Sequence, residues 1–71
     1  MAKADISNSI RRLRFDHHEM TQQELADRAE CSRQTIVLLE QGRYVPSLAL
    51  AFRIARAFDR SVDEIFTYEG K

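Results

Sequence analysis

The most specific chemistry in this 71-residue chain lies in Ser32-Arg33-Gln34-Thr35-Ile36-Val37-Leu38-Leu39. On a helix, successive residues advance by about 100°, which turns Ile36 and Leu39 to one side. Arg33, Gln34, Val37 and Leu38 then share the opposite side. A guanidinium forks onto guanine O6 and N7, a Gln amide pairs with adenine N6 and N7, and apolar side chains suit a thymine methyl. These four are therefore the expected base-reading residues. The competing interpretation is an ordinary solvated face, with Val37 and Leu38 covered by a neighbour.

Other reactive side chains point to less. His17-His18-Glu19 looks like a metal or catalytic cluster, but adjacent residues diverge on a helix and their imidazoles do not converge. The zinc-protease spacing fails too, because Met20, Thr21 and Gln22 follow His18-Glu19. A solvated loop is the expectation there. Cys31 is the only cysteine, so no internal disulfide forms, and it is expected as a small buried plug. Neither a Ser-His-Asp order nor a Gly-rich phosphate loop supports catalysis, so no enzyme, metal or cofactor is expected.

Short helices must position the reading face. Thr21-Gln22-Gln23-Glu24 and Ser61-Val62-Asp63-Glu64 are capping boxes. Ser32 and Ser47 are N-cap candidates, and Gly42 is a stop. The pattern predicts five helices, near 7–16, 21–29, 32–41, 47–58 and 61–66. Their inward residues are Ile10 and Leu13; Leu25, Ala26 and Ala29; Ile36 and Leu39; Leu48, Ala51, Phe52, Ala55 and Phe58; and Val62, Ile65 and Phe66. Met20, Cys31 and Val45 are expected to plug the connections. The tail Ile65-Phe66-Thr67-Tyr68 has strand propensity, and is expected to pair near Ala2–Asp5 or across a dimer.

A chain this short holds one domain, residues 1–71, with roughly 3.5–10 kcal/mol of stability to lose. No apolar run approaches a membrane span of about 20 residues, and no signal-peptide core precedes the first helix. Cytoplasmic placement follows as an expectation. The formal net charge of zero argues, taken alone, against nucleic acid. The distribution of the charges points the other way. Lys3, Arg11, Arg12 and Arg14 face only Asp5 in the first segment, and Arg33, Arg43, Arg53 and Arg56 face only Glu40 in the third. The acidic residues concentrate in 15–30 and 57–71, so one face can be basic while another is acidic.

The stretch 21–41 reads as helix, tight turn, helix, with small Ala26 permitting a steep, close crossing. Here the chain resembles the Cro/C1-type (XRE) transcriptional regulators from about Ile10 to Phe66. The resemblance rests on Met20-Thr21-Gln22-Gln23-Glu24-Leu25-Ala26, Ser32-Arg33-Gln34-Thr35-Ile36, Leu39-Glu40-Gln41-Gly42-Arg43-Tyr44, Pro46-Ser47-Leu48, Ile54-Ala55 and Val62-Asp63-Glu64-Ile65-Phe66. It is closest to the short stand-alone regulators. It implies an all-α, five-helix, lambda-repressor-like DNA-binding domain whose second motif helix enters a major groove. It also implies phosphate or flank contacts from Gln22, Ser32, Thr35 and Arg43. Two departures stand out. Glu30 occupies the turn where the family often has Gly, so a non-Gly residue is expected at positive φ. Val37-Leu38 replaces residues that are more often polar.

The fourth helix is apolar over a wider arc than one core contact uses. A homodimer interface is expected there and in a C-terminal segment near 61–69, carried by Leu50, Ile54, Phe66 and Tyr68. The sequence thus predicts a transcriptional regulator, expected to act as a repressor, that binds a pseudo-palindromic duplex as a homodimer, with no evident small-molecule effector. The alternative is an antitoxin-like protein–protein module using the same fold.

Overall fold

A computed structural model of the chain describes residues 5–70. Strand β1 (Ile6–Asn8) leads into α1 (Ile10–Asp16), α2 (Gln22–Ala29), α3 (Arg33–Glu40), α4 (Leu48–Ala57), α5 (Val62–Ile65) and β2 (Phe66–Tyr68). All five expected helices are present, each within a few residues of its expected place. The largest difference is at α1, which starts at Ile10 rather than near 7, because Ile6–Asn8 is extended. Those residues pair antiparallel with the tail, with Ile6 opposite Tyr68 and Asn8 opposite Phe66. The tail strand therefore closes within the same chain, just past the expected partner segment, where the Glu69 amide also donates to Asp5 O at 2.6 Å. Residues 2–4 of that expected segment lie outside the described residues.

Local chemistry sets the helix starts. Thr21 Oγ1 accepts from Glu24 N at 3.0 Å while Glu24 Oε1 accepts from Thr21 N at 2.8 Å. Ser32 and Ser47 cap α3 and α4 by accepting from Thr35 N and Leu50 N, each at 3.1 Å. Glu64 Oε1 accepts from Ser61 N at 2.8 Å. Gly42 ends the α3 region at φ +71°, a left-handed conformation that costs glycine little.

One apolar cluster joins Ile10, Leu13, Met20, Leu25, Ala26, Ala29, Ile36, Leu39, Leu50, Ile54, Ala55, Phe58 and Ile65. This corrects the expected rotation of α4. Leu50 and Ile54 are 4% and 0% exposed and sit in the core, so they offer no surface to a second copy. Leu48 and Phe52, expected inward, are 71% and 53% exposed. In this rotation Leu50, Ile54, Ala55 and Phe58 join the cluster built by α1, α2 and α3, and Arg53 Nε donates to Ala29 O at 2.6 Å, tying that side of α4 to the end of α2. Leu50 and Ile54 are turned in, and Leu48 and Phe52 out. Val45 is also exposed rather than a plug, whereas Met20 is buried and Cys31 packs half-buried against the core. His17 is more than a solvated loop residue. It is half-buried, its Nδ1 lies 2.8 Å from Leu13 O, and its ring meets Phe58 edge-on with centroids 5.2 Å apart.

Candidate nucleic-acid interface

The α2–α3 turn is built from small residues and one strained one. Ala26 and Ala29 are fully buried, so the two helices approach closely. Glu30 takes φ +59° and ψ +45° at the end of α2, the left-handed geometry expected at this position. Cys31 N then donates back to Ala26 O at 3.0 Å, and Arg53 takes the Ala29 carbonyl. The turn is thus tied on both sides, and α3 leaves it in a fixed direction.

Ile36 and Leu39 anchor α3 in the core with no exposure. Arg33 and Gln34 stand exposed in the first turn, and Val37 and Leu38 follow half-buried. Ser32 is exposed at the N-cap, and its hydroxyl also lies 2.9 Å from the half-buried Thr35 Oγ1. Arg43 is exposed just beyond the helix. The far end of α3 is held as well, by Asn8 Nδ2 donating to Leu39 O at 2.8 Å.

A second fixing point joins three helices. Arg14 on α1 forks onto Glu40 on α3, Nε to Oε2 at 2.6 Å and Nη2 to Oε1 at 3.1 Å. Gln22 Nε2 donates to the same Oε1 at 3.1 Å, and Arg14 Nη1 donates to Met20 O at 2.8 Å. This pair is largely enclosed, with side chains 15% and 9% exposed. It holds Gln22, the first residue of α2, beside the C-terminal end of α3. Sequence reasoning does not find this network. Arg14 reads there only as one charge of a basic segment, and a contact across 26 positions leaves no local pattern.

The electrostatics favour an anion at this edge. The Thr21–Glu24 box uses the Thr21 and Glu24 amides, and the first-turn amides of Gln22 and Gln23 remain at the N-terminus of α2. The Glu24 carboxyl is held below its ordinary range, first by the Thr21 amide and then by the Thr21 hydroxyl. Burial pushes the Cys31 thiol up, with Arg53 opposing it weakly. Among the described residues, no group of His, Cys, Asp or Glu is arranged to hold a metal ion. No helix of the described residues is long and apolar enough to cross a membrane.

The expected dimer residues are divided. Leu50 and Ile54 are core, Phe66 is half-buried and Tyr68 is exposed. The exposed apolar side of α4 is Leu48 and Phe52. Next to it is an apolar recess lined by Ile6, Pro46, Leu48, Ala51, Val62 and Phe66.

The helix-turn-helix family profile matches residues 10–65. An uncharacterized HTH-type transcriptional regulator of Methanocaldococcus jannaschii is 50% identical over 52 residues, spanning 73% of this chain and 79% of that protein. One of Methanothermobacter thermautotrophicus is 58% identical over 48 residues, spanning 66% and 70%. The YgzD regulator of Bacillus subtilis is 34% identical over 64 residues, spanning 90% and 96%. A crystal structure provisionally described as a DNA-binding protein of Bacteroides fragilis superposes with a TM-score of 0.73 at 19% identity, over 87% of this chain and 98% of that one; it supports the fold alone. With its turn, its outward α3 and these relatives, the chain belongs to the XRE (Cro/C1-type) helix-turn-helix family, a family of DNA-binding regulators rather than of enzymes.

Proposed function

We propose that this protein is a sequence-specific transcriptional repressor that binds a pseudo-palindromic duplex as a homodimer. The observation that carries the reading is α3: both ends are pinned, its inner face is sealed, and Arg33, Gln34, Val37 and Leu38 share the outer one. Arg33 and Gln34 read base edges from the first turn. Gln22, Ser32, Thr35 and Arg43 flank them and set register on the phosphates. Such a regulator works in the cytoplasm.

The size of one module supports a dimer. One module covers only about 600–1,000 Å² of protein surface on DNA. Two recognition helices in successive major grooves stand about 34 Å apart, which puts each roughly 17 Å from the two-fold axis. The narrow dimensions of the fold are 22 and 21 Å, so a point 17 Å from the axis falls within the width of one copy, on its half away from the contact. Leu48 and Phe52 supply the contact in place of Leu50 and Ile54, joined by Phe66 and Tyr68.

The test is duplex selection followed by anisotropy titration. The protein is expected to enrich a two-fold-related site. Arg33→Ala should lose about 1–3 kcal/mol on it and relax preference at one position per half-site. An Arg33→Ala variant with unchanged affinity and preference contradicts the reading. Sedimentation should show a dimer at micromolar concentration that Phe52→Asp converts to monomer. Absence of salt-dependent duplex binding leaves the protein–protein module as the better account.

A further inference from the structure

We propose that Arg11 is a phosphate-contacting residue, an additional clamp on α1 that orients the module on the duplex. The inference rests on the DNA-binding reading above and extends it to a helix outside the helix-turn-helix motif. The three arginines of α1 have different situations. Arg14 is enclosed and spent on Glu40. Arg12 pairs with Asp16 at 3.6 Å across one turn. Arg11 is exposed and forms no ion pair among the described residues.

Its position gives that charge a use. One cleft is lined by Arg11, Arg14, Gln22, Val37, Glu40 and Gln41. It brings Arg11 to the same cleft as Gln22, at the N-terminus of α2, and Val37, on the outer side of α3. A neighbouring cleft joins Arg11 and Phe15 to Glu19, Thr21 and Gln22. A backbone following a groove occupied by α3 passes the start of α2. There it meets the Gln22 and Gln23 amides, which are ready for an anion. Arg11 faces the same opening, and the exposed ring of Phe15, one turn on, offers a sugar an apolar wall. Two carboxylates stand nearby and differ in effect. Glu40 is neutralised by Arg14, whereas Glu19 lines only the outer cleft. A forked guanidinium suits a phosphate better than an ammonium does.

The experiment measures affinity against salt on the selected site and on an unrelated duplex, for native protein, Arg11→Ala, Arg11→Gln and Arg12→Ala. Arg11→Ala and Arg11→Gln should each weaken both duplexes alike, roughly tenfold per bound copy at 0.1 M salt, and lower the salt slope by about one unit per copy. Arg12→Ala, which removes a guanidinium already paired with Asp16 and absent from the cleft beside Gln22, should lower the slope less than Arg11→Ala does. Arg11→Gln keeps most of the stem, so its loss of slope separates charge from fold. A native slope in both Arg11 variants, or loss on one sequence only, overturns the proposal. A native protein that binds neither duplex refutes the DNA-binding reading itself, so the two failures are distinguishable.

Discussion

The Arg14–Glu40–Gln22 network should contribute more to stability than any other polar contact in the molecule. Glu40→Gln preserves shape and removes the carboxylate. Arg14 then loses both charge-assisted bonds, at 2.6 and 3.1 Å, and keeps the Met20 carbonyl and at most one neutral bond to the Gln amide oxygen, whose NH2 now faces it donor to donor. Breaking one side of a buried pair costs about 3–5 kcal/mol. The lower end applies here, because Arg14 retains the Met20 carbonyl and one amide oxygen and is 15% exposed to water. About 3 kcal/mol is a large share of the roughly 3.5–10 kcal/mol a 71-residue domain has. At about 4–8 °C per kcal/mol, melting should fall by roughly 12–24 °C.

Thermal and urea unfolding of Glu40→Gln, Arg14→Met and the double variant give the coupling energy. Arg14→Met/Glu40→Met should recover part of the loss, because it leaves no unpaired charge. Gln22 loses its acceptor only where Glu40 becomes Met, so duplex affinity of the Met/Met variant, measured well below melting, should fall as well. Single losses under about 1 kcal/mol that simply add would match an exposed ion pair. That result would refute the claim that this network fixes α1, α2 and α3 relative to one another.

Backbone strain gives an opposite pair of outcomes. Gly42→Ala should cost about 1–2 kcal/mol, because it forces a side chain to φ +71° although no atom lies within 4 Å of the added carbon. Glu30→Gly should instead leave the protein equally or slightly more stable, since Glu30 already bears the left-handed strain at φ +59°; urea midpoints decide both. In acid, the depressed folded-state pKa values of Glu24 and Glu64 mean their stabilisation is present above the unfolded carboxylate pKa and is lost as pH falls below about 4.5. Glu24→Gln should therefore have a shallower acid limb than the native protein in melting temperature against pH, and an identical limb would remove the capping box from the account.

Local rules made most of the motif legible. The Thr21–Glu24 box, the Ser32 and Ser47 caps, the Gly42 stop and the positive φ at Glu30 all depend on residues within a few positions of one another. So does the face of α3, because a single apolar pair, Ile36 and Leu39, fixes its rotation. Helix α4 shows where this stops. Its apolar residues support two overlapping stripes, Leu48-Ala51-Phe52-Ala55-Phe58 and Leu50-Ala51-Ile54-Ala55-Phe58. The stripes share Ala51, Ala55 and Phe58, and differ by a rotation of about 70° at 3.6 residues per turn. Hydrophobic periodicity cannot choose between them, since each buries five apolar side chains. The choice shows in Arg53, whose stem must run along α4 to reach the Ala29 carbonyl 24 positions away. That bond is compatible only with the rotation that has Leu50 and Ile54 inside and Leu48 and Phe52 exposed. An arginine 24 positions from its acceptor leaves no local pattern, so the exposure of Leu48 and Phe52 was not legible in the periodicity of α4 alone.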